Sequence, residues 1–254
     1  MQKKQQYGIL LPMYSTLAAH YDEIFPLEEA KIDYVQKAAG GPPAWILDLG
    51  CSTGSLAFAL SKRGYAVKAI DLDEEMISIA QKRAWGSNHS PEFFVLDMMK
   101  VNRTFPKGSF DLALCLGNTL VHLKNLKDIE DFFRSVAWVL KGGGRFIVQI
   151  LNYEMIGRTR MQKLPLIDRE KVRFERWYEY DSYPTSVIFR TILTEKETGA
   201  RHEDSVALFP LTVKELEASL DRCGFSVHEI VEDFQRTPFS TENFSLVLSA
   251  CRKA

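Results

Sequence analysis

The sequence predicts an α/β fold: a mostly parallel, doubly wound sheet of seven strands with an antiparallel β meander inserted late in the chain. Three observations predict it. Between Trp45 and Gln149 short apolar runs alternate with segments of helical period, the pattern of βαβ units whose strands are buried on both faces. From Val172 to Leu208 the style changes to runs of aromatic and β-branched residues separated by turn signals, as in antiparallel strands. After that, a capped helix and two further strand-like runs close the chain. A length of 254 residues suffices for one large domain carrying an insertion, burying roughly 70–75% of its unfolded surface.

Taken in order, Tyr14–Ile24 and Leu27–Ala39 have helical patterns separated at Pro26. They form an expected N-terminal helical cover over residues 1–40, able to lie across the ligand edge of the sheet. Gly40-Gly41-Pro42-Pro43 is a stiff link into the first strand. The apolar runs Trp45–Leu49, Ala66–Ile70, Phe93–Leu96, Leu112–Leu116 and Arg145–Ile150 are the expected buried strands. Leu56, Ala59 and Leu60 share one helix face before Gly64, and Asp73 is placed to cap the next helix, with Glu74 and Glu75 in its first turn. Ile129, Phe132, Phe133, Val136 and Leu140 form the apolar stripe of a longer helix, which Gly142-Gly143-Gly144 is expected to end. The meander comprises Val172–Tyr180, Ser186–Thr194 and Arg201–Leu208. Thr212-Val213-Lys214-Glu215 is a capping box, and Ser226–Val231 with Phe244–Cys251 completes the sheet. The expected division is a main domain of residues 1–151 and 211–254, with residues 152–210 as an inserted lid that supplies the acceptor site.

Composition excludes several classes. Apolar residues at 46%, charged residues at 26% and a net charge of −1 give no global attraction to nucleic acid or anionic membrane. The four cysteines form no C-x-x-C pair, so neither a disulfide framework nor a metal site is expected. No stretch of about 18 apolar residues suggests a membrane span. The N-terminus lacks the apolar run of a secretory signal, so a cytoplasmic location is expected. The oligomeric state stays open.

The chemistry concentrates after the first strand, in Asp48-Leu49-Gly50-Cys51-Ser52-Thr53-Gly54. In an open parallel sheet, ligands bind beyond the carboxyl ends of the strands where strand order reverses. Glycines at 50 and 54 permit a sharp turn and a close approach of backbone to a ligand. The second strand ends in Asp71, whose carboxylate can accept two hydrogen bonds from a ribose diol. A dinucleotide turn G-x-G-x-x-G starting at Gly50 would meet Ser52 and Ser55 at its second and third glycines. No nucleoside-triphosphate loop is present either.

This arrangement resembles the class I S-adenosylmethionine-dependent methyltransferases, with their Rossmann-like sheet, whose first motif approximates D-x-G-x-G-x-G. Asp48, Gly50 and Gly54 fit that motif, and Ser52 replaces its central glycine. The resemblance implies that Cys51, Ser52 and Thr53 line the cofactor with those residues, that Asp71 binds the ribose, and that Leu72 packs on the adenine. In Leu96-Asp97-Met98 it implies that Asp97 meets the adenine amino group and Met98 covers the ring. The strand Phe110–Leu116 matches the family's F-D-x-[apolar] opening, which puts Leu116 beside the methionine part of the cofactor. It also implies that Tyr21 closes over the cofactor from the N-terminal helices.

The stretch Cys115-Leu116-Gly117-Asn118-Thr119-Leu120-Val121-His122-Leu123 is similar to the corresponding segment of glycine N-methyltransferases, and Asn152-Tyr153 repeats a second piece of that similarity. Those enzymes hold the substrate carboxylate with an arginine where this chain has Leu151, which cannot supply a guanidinium fork. Glycine is therefore not the expected substrate. Methyl transfer is an in-line displacement at a sulfonium carbon, so the protein mainly aligns the reactants and excludes water. Asn118 and His122 are the candidates to orient the acceptor or accept a proton. Each also has a structural reading, Asn118 as the cap of a short helix and His122 as a hydrogen-bonded core residue. The function expected is methyl transfer from S-adenosyl-L-methionine to a small-molecule acceptor, an amine among the candidates. The alternatives are a non-catalytic cofactor-binding partner subunit and an enzyme using the cofactor for another group transfer. The basic residues between Arg158 and Arg176 either contact an anionic substrate or form a solvated face. Alternation along Val172–Tyr180 does not decide which face looks inward.

Overall fold

The computed structural model describes residues 17–85 and 90–254. A short helix α1 (Tyr21–Ile24) and then α2 (Glu29–Ala39) precede the sheet; the expected helical residues 14–16 lie outside the described residues. There follow β1 (Trp45–Leu49), α3 (Ser55–Lys62), β2 (Ala66–Asp71), α4 (Glu74–Ala84) and β3 (Glu92–Val95). The second winding comprises α5 (Val101–Thr104), β4 (Phe110–Cys115), α6 (Leu126–Val139) and β5 (Leu140–Leu151). Next come α7 (Tyr153–Thr159), the strands β6 (Ile167–Asp168), β7 (Val172–Glu179), β8 (Val187–Glu195) and β9 (Arg201–Leu208), then α8 (Val213–Arg222), β10 (Phe225–Val231) and β11 (Ser245–Arg252).

The main sheet has seven strands in the order β10-β11-β5-β4-β1-β2-β3. β11 runs antiparallel to both its neighbours, while β1 through β5 pair in parallel. From β1 the chain winds outward through β2 and β3, then returns to place β4 on the other side of β1. Loops leaving β1 and β4 therefore diverge and open a crevice at the carboxyl edge.

Alternation along the strands sorts the core into two layers. Ile46, Leu112 and Leu114 join α2, α3 and α4 on one face. Leu47, Leu49, Ala113 and Cys115 join α5, α6 and α8 on the other. The second layer is aromatic: Phe132 and Phe133 meet Phe146 at centroid distances of 6.1 and 5.8 Å, near edge-to-face, and each such side chain contributes about 1.5–3 kcal/mol by burial.

Two elements differ in detail from the sequence reading. α6 ends at Val139, before the three glycines, because Leu140 already pairs with Phe110 in the sheet. The register then jumps from Phe110↔Leu140 to Leu112↔Arg145, so Gly142-Gly143-Gly144 bulges out of β5 and terminates no helix. The meander also gains the short strand β6, giving a separate four-stranded antiparallel sheet. The capping box forms as expected: Glu215 N–H donates to Thr212 Oγ1 at 3.3 Å, and Thr212 N–H donates to Glu215 Oε2 at 2.9 Å. Thr212→Ala is expected to cost about 1 kcal/mol, seen as a lower urea midpoint with an unchanged slope.

The antiparallel sheet lies against the carboxyl edge of the main sheet. Phe174 and Leu193 share a cluster with Leu17 and Ile24, while Phe209 N–H donates to Val121 O, in the loop after β4, at 2.8 Å. Among the described residues no helix is long and apolar enough to cross a membrane.

Candidate active site

The turn after β1 is held first by its own backbone. Gly50 and Cys51 N–H both donate to Ile70 O, at 2.8 and 3.0 Å, fastening the turn to β2. Gly50 and Gly54 both have φ of +79°, and a Cβ would meet Thr119 Cγ2 at 2.6 Å from Gly50 and Phe93 Cε1 at 2.5 Å from Gly54. Both glycines are thus demanded by left-handed backbone, as the sharp turn requires, and also by packing against protein. Ser52, where the motif has its central glycine, takes the left-handed conformation itself at φ +51°, which costs a non-glycine residue roughly 1–2 kcal/mol. Its N–H donates to Asp71 Oδ2 at 2.8 Å, which helps hold it there.

Asp71 also accepts Asp73 N–H through Oδ1 at 3.0 Å, so each carboxylate oxygen is oriented by backbone and keeps further lone-pair capacity. Burial raises its pKa, and the amide donors of Asp73 and Ser52 work against that rise. Asp48, 4% exposed, is pushed up to about 7 by burial, with Lys31 opposing and Asp71 adding to the shift. Burial likewise raises the Cys51 thiol well above its ordinary range, so it stays protonated at neutral pH.

The N-terminal segment is latched to this turn. Asp22 Oδ1 accepts from Thr53 Oγ1 at 2.6 Å and from Ser55 Oγ at 2.8 Å, and Asp22 is paired with Arg83. The Tyr21 hydroxyl meets the Ser52 side chain, and burial holds its pKa at about 12.

At the carboxyl ends of β2 and β3 two apolar side chains stand uncovered, Leu72 at 51% and Val95 at 47% exposure. Asp97 follows, and its Oδ1 accepts Met99 N–H at 2.9 Å; Met98 is half-buried and packs toward the α6 layer. Asp97 therefore caps a 3-10 turn as well as standing at the strand end.

On the far side of the crevice, Leu116 is buried and its carbonyl accepts from Thr119 Oγ1 at 2.7 Å. Asn118 has φ of +70° and makes no side-chain cap to the 3-10 turn Thr119–His122, which corrects the capping reading. Its Oδ1 accepts Leu151 N–H at 3.0 Å, and its Nδ2 donates to Tyr153 Oη at 2.9 Å. These bonds tie β4 to β5 and aim Tyr153 at β7, whose Tyr178 ring lies 6.5 Å away. His122 is half-buried, and desolvation lowers its pKa to about 4. Asn152, the other half of the Asn-Tyr pair, is fully buried, capping α7 and donating to Thr241 O and Asn243 O.

A crevice with a left-handed glycine turn, a strand-end carboxylate and uncovered apolar residues at the next strand ends suits an adenosine-bearing ligand. Comparison with known proteins narrows it. A family model described as a methyltransferase domain matches residues 46–144. YqeM of Bacillus subtilis (strain 168), named provisionally as a methyltransferase, is 29% identical over 244 residues, 94% of this chain and 96% of its own. The chain carries a methyltransferase domain. Glycine N-methyltransferase of Homo sapiens is 29% identical to this methyltransferase over 126 residues, 45% of this chain and 43% of that one. An S-adenosylmethionine-dependent methyltransferase from Clostridium acetobutylicum ATCC 824 shares the fold, with a TM-score of 0.81 at 18% identity over 95% of this chain and 100% of that one. An amino pentose methyltransferase from Micromonospora echinaspora, solved with S-adenosylmethionine bound, shares the fold with a TM-score of 0.66 at 19% identity over 97% of this chain and 99% of that one.

Sequence reasoning singled out Asp48, the Gly50–Gly54 turn, Asp71, Leu72 and Tyr21, which the fold brings to one rim of the crevice, with Asp97 and Met98 at its outer end. It passed over Thr119, whose only signal was its place in the stretch Cys115–Leu123. Gln149 was also missed: its Oε1 accepts Gly117 N–H at 3.0 Å, and inside an apolar strand such a polar residue is a usable signal.

Proposed function

We propose that the methyltransferase transfers the methyl group to a small-molecule amine, held between the loop after β4 and the antiparallel sheet. In this reading Asp71 takes the ribose hydroxyls, Leu72 and Met98 flank the adenine with Asp97 at its amino group, and Asp48 with the Gly50–Gly54 turn and Leu116 holds the methionine part under Tyr21. The cofactor supplies an activated methyl on a good leaving group; the protein positions the acceptor and excludes water. The observation that supports the small acceptor is the chain of contacts Asn118–Tyr153–Tyr178, which links the loop after β4 to β7. The amine reading is supported by His122: with its pKa lowered to about 4, it is a weak base. A neutral amine brings its own lone pair and needs no strong base, unlike an alcohol or phenol.

Asn118 acts here as a positioning residue, since its side chain is engaged by Tyr153 and Leu151. Residues 152–210 serve as the lid and acceptor wall. The reading is tested by calorimetric titration with S-adenosylmethionine and S-adenosylhomocysteine, followed by methyl-label transfer to panels of amines, phenols and nucleosides. Binding of both cofactor forms with label appearing in amines is expected. Label confined to phenols or nucleosides would overturn the amine assignment.

A further inference from the structure

We propose that Arg176, together with the hydroxyl of Tyr178, recognises a carboxylate group on the methyl acceptor, an inference that rests on the acceptor reading above.

β7 decides a question its sequence leaves open. Phe174 and Tyr178 are 2% and 3% exposed, whereas Arg173 is exposed, so the even-numbered face looks inward. On that face Phe174 meets Phe25 edge-on at 6.1 Å and joins the cluster of Leu17, Ile24 and Tyr21; Tyr21 in turn meets Ser52 of the glycine turn. At the other end Tyr178 lies beside Tyr153, which is bonded to Asn118. Arg176 stands between them on the same face of β7, roughly 6–7 Å along the strand from each neighbour.

The polar atoms at this position are incompletely used. Arg176 Nη2 donates to Pro165 O at 2.8 Å and the guanidinium lies 5.6 Å over the Phe174 ring, which fixes its plane. Its Nε is buried with no hydrogen-bond partner. Tyr178 Oη is buried too and has no hydrogen bond of acceptable geometry, although it lies close to the Tyr153 hydroxyl. These two are the buried side-chain polar atoms left without a partner among the described residues. Such groups are normally satisfied, so an orphaned pair on one face calls for an absent partner. Among the described residues Arg176 also has no acidic partner within ion-pair distance: Glu175 faces Arg173, and burial lowers the pKa of the guanidinium while Tyr178 opposes that. A half-buried cation whose Nε is shielded from water and has no counter-charge is complemented by an anion.

The donor set selects the kind of anion. One N–H of a fixed planar guanidinium and one neighbouring O–H match the two oxygens and single charge of a carboxylate. A phosphate monoester brings more charge and three oxygens, for which this face offers too few donors. Three other arginines of the segment are occupied elsewhere: Arg158 pairs with Glu242, Arg160 lies over Tyr180 and Tyr183, and Arg169 donates to Glu23 O. Holding the carboxylate at Arg176 would direct the amine of the same molecule toward the β4 loop.

The test uses methyl-label transfer from S-adenosylmethionine to matched sets of acceptors: aliphatic and aromatic amino acids, their carboxamides, their decarboxylated amines and an O-phosphorylated amino alcohol. The wild-type protein is compared with Arg176→Gln, Arg176→Lys and Tyr178→Phe, with S-adenosylhomocysteine affinity and thermal midpoint measured for each. The acid member of at least one set is expected to be preferred, with Arg176→Gln lowering its kcat/KM by about tenfold or more, chiefly through KM, and leaving the carboxamide within about threefold. Arg176→Lys is expected to fall between. Tyr178→Phe removes a hydroxyl whose polar neighbour is the Tyr153 hydroxyl, so the midpoint should change little while KM for the acid rises; an unchanged KM would assign Tyr178 to packing alone and overturn its part in the proposal. Equal losses on acid and carboxamide, preference for the phosphate ester, or no labelled acid from a protein that binds S-adenosylhomocysteine would overturn the carboxylate site. Failure to bind S-adenosylhomocysteine would instead overturn the residue assignments of the cofactor site.

Discussion

Asp71→Ala is expected to weaken S-adenosylmethionine binding by roughly 30- to 1,000-fold, the equivalent of about 2–4 kcal/mol. A ribose diol would donate to the lone pairs that Ser52 and Asp73 leave free on this carboxylate, and hydrogen bonds to a charged acceptor are the stronger kind. The substitution also releases the Ser52 amide, which loosens a residue already held at positive φ. Stability should change less than affinity, because removing a carboxylate whose ionisation burial disfavours offsets part of the lost backbone bonding. Calorimetry on the variant and on Asp71→Asn, which keeps one acceptor oxygen, distinguishes the contributions. An unaltered affinity in the alanine variant would remove Asp71 from the cofactor site.

Asp48→Asn is expected to stabilise the ligand-free protein at pH 8 while weakening the cofactor. The unfolded chain ionises an aspartate near pH 4, whereas the fold holds Asp48 protonated until about 7. Between those values the unfolded state has released a proton that the folded state keeps, so stability falls as pH rises through the window and the full penalty is present above it. Asparagine avoids the penalty, for a gain of about 1–3 kcal/mol after allowing for the lost attraction to Lys31; at pH 4 the gain vanishes. S-adenosylmethionine carries a sulfonium and an ammonium, so it favours ionised Asp48. Wild-type affinity should therefore rise by up to about tenfold per pH unit below 7 and level off above it. The variant should show a flatter profile and weaker binding at pH 8. Urea denaturation and calorimetry across pH 5–8.5 read both effects, and a parallel profile in the variant would show that another group governs the pH dependence.

The strands and helices were legible because each carries a local signal. The buried strands of the parallel sheet are continuous apolar runs, Asp73 and Thr212 are local caps, and the change of style at Val172 marks a second sheet. The glycine triplet misled for a physical reason: a helix stop and a strand bulge both call for glycine, and only the pairing of Leu140 with Phe110 chooses between them. The inward face of β7 was illegible because Arg173–Glu175–Trp177 and Phe174–Arg176–Tyr178 are similarly amphipathic, and what decides is the packing of Phe174 on the N-terminal segment.

The sequence by itself determined the α/β class, the succession of elements and the glycine-turn, Asp71 and Asp97 series, since these depend on residues close together in the chain or on periodicity. The tertiary structure alone decided what Gly50 and Gly54 avoid, namely Thr119 and Phe93. It also decided that Asp22 fastens the N-terminal segment to Thr53 and Ser55, and that Asn118 is engaged by Tyr153 rather than by its own helix. Each of these joins residues far apart in sequence, and burial and hydrogen-bond satisfaction are set by what the folded chain brings against a side chain, which no local pattern encodes.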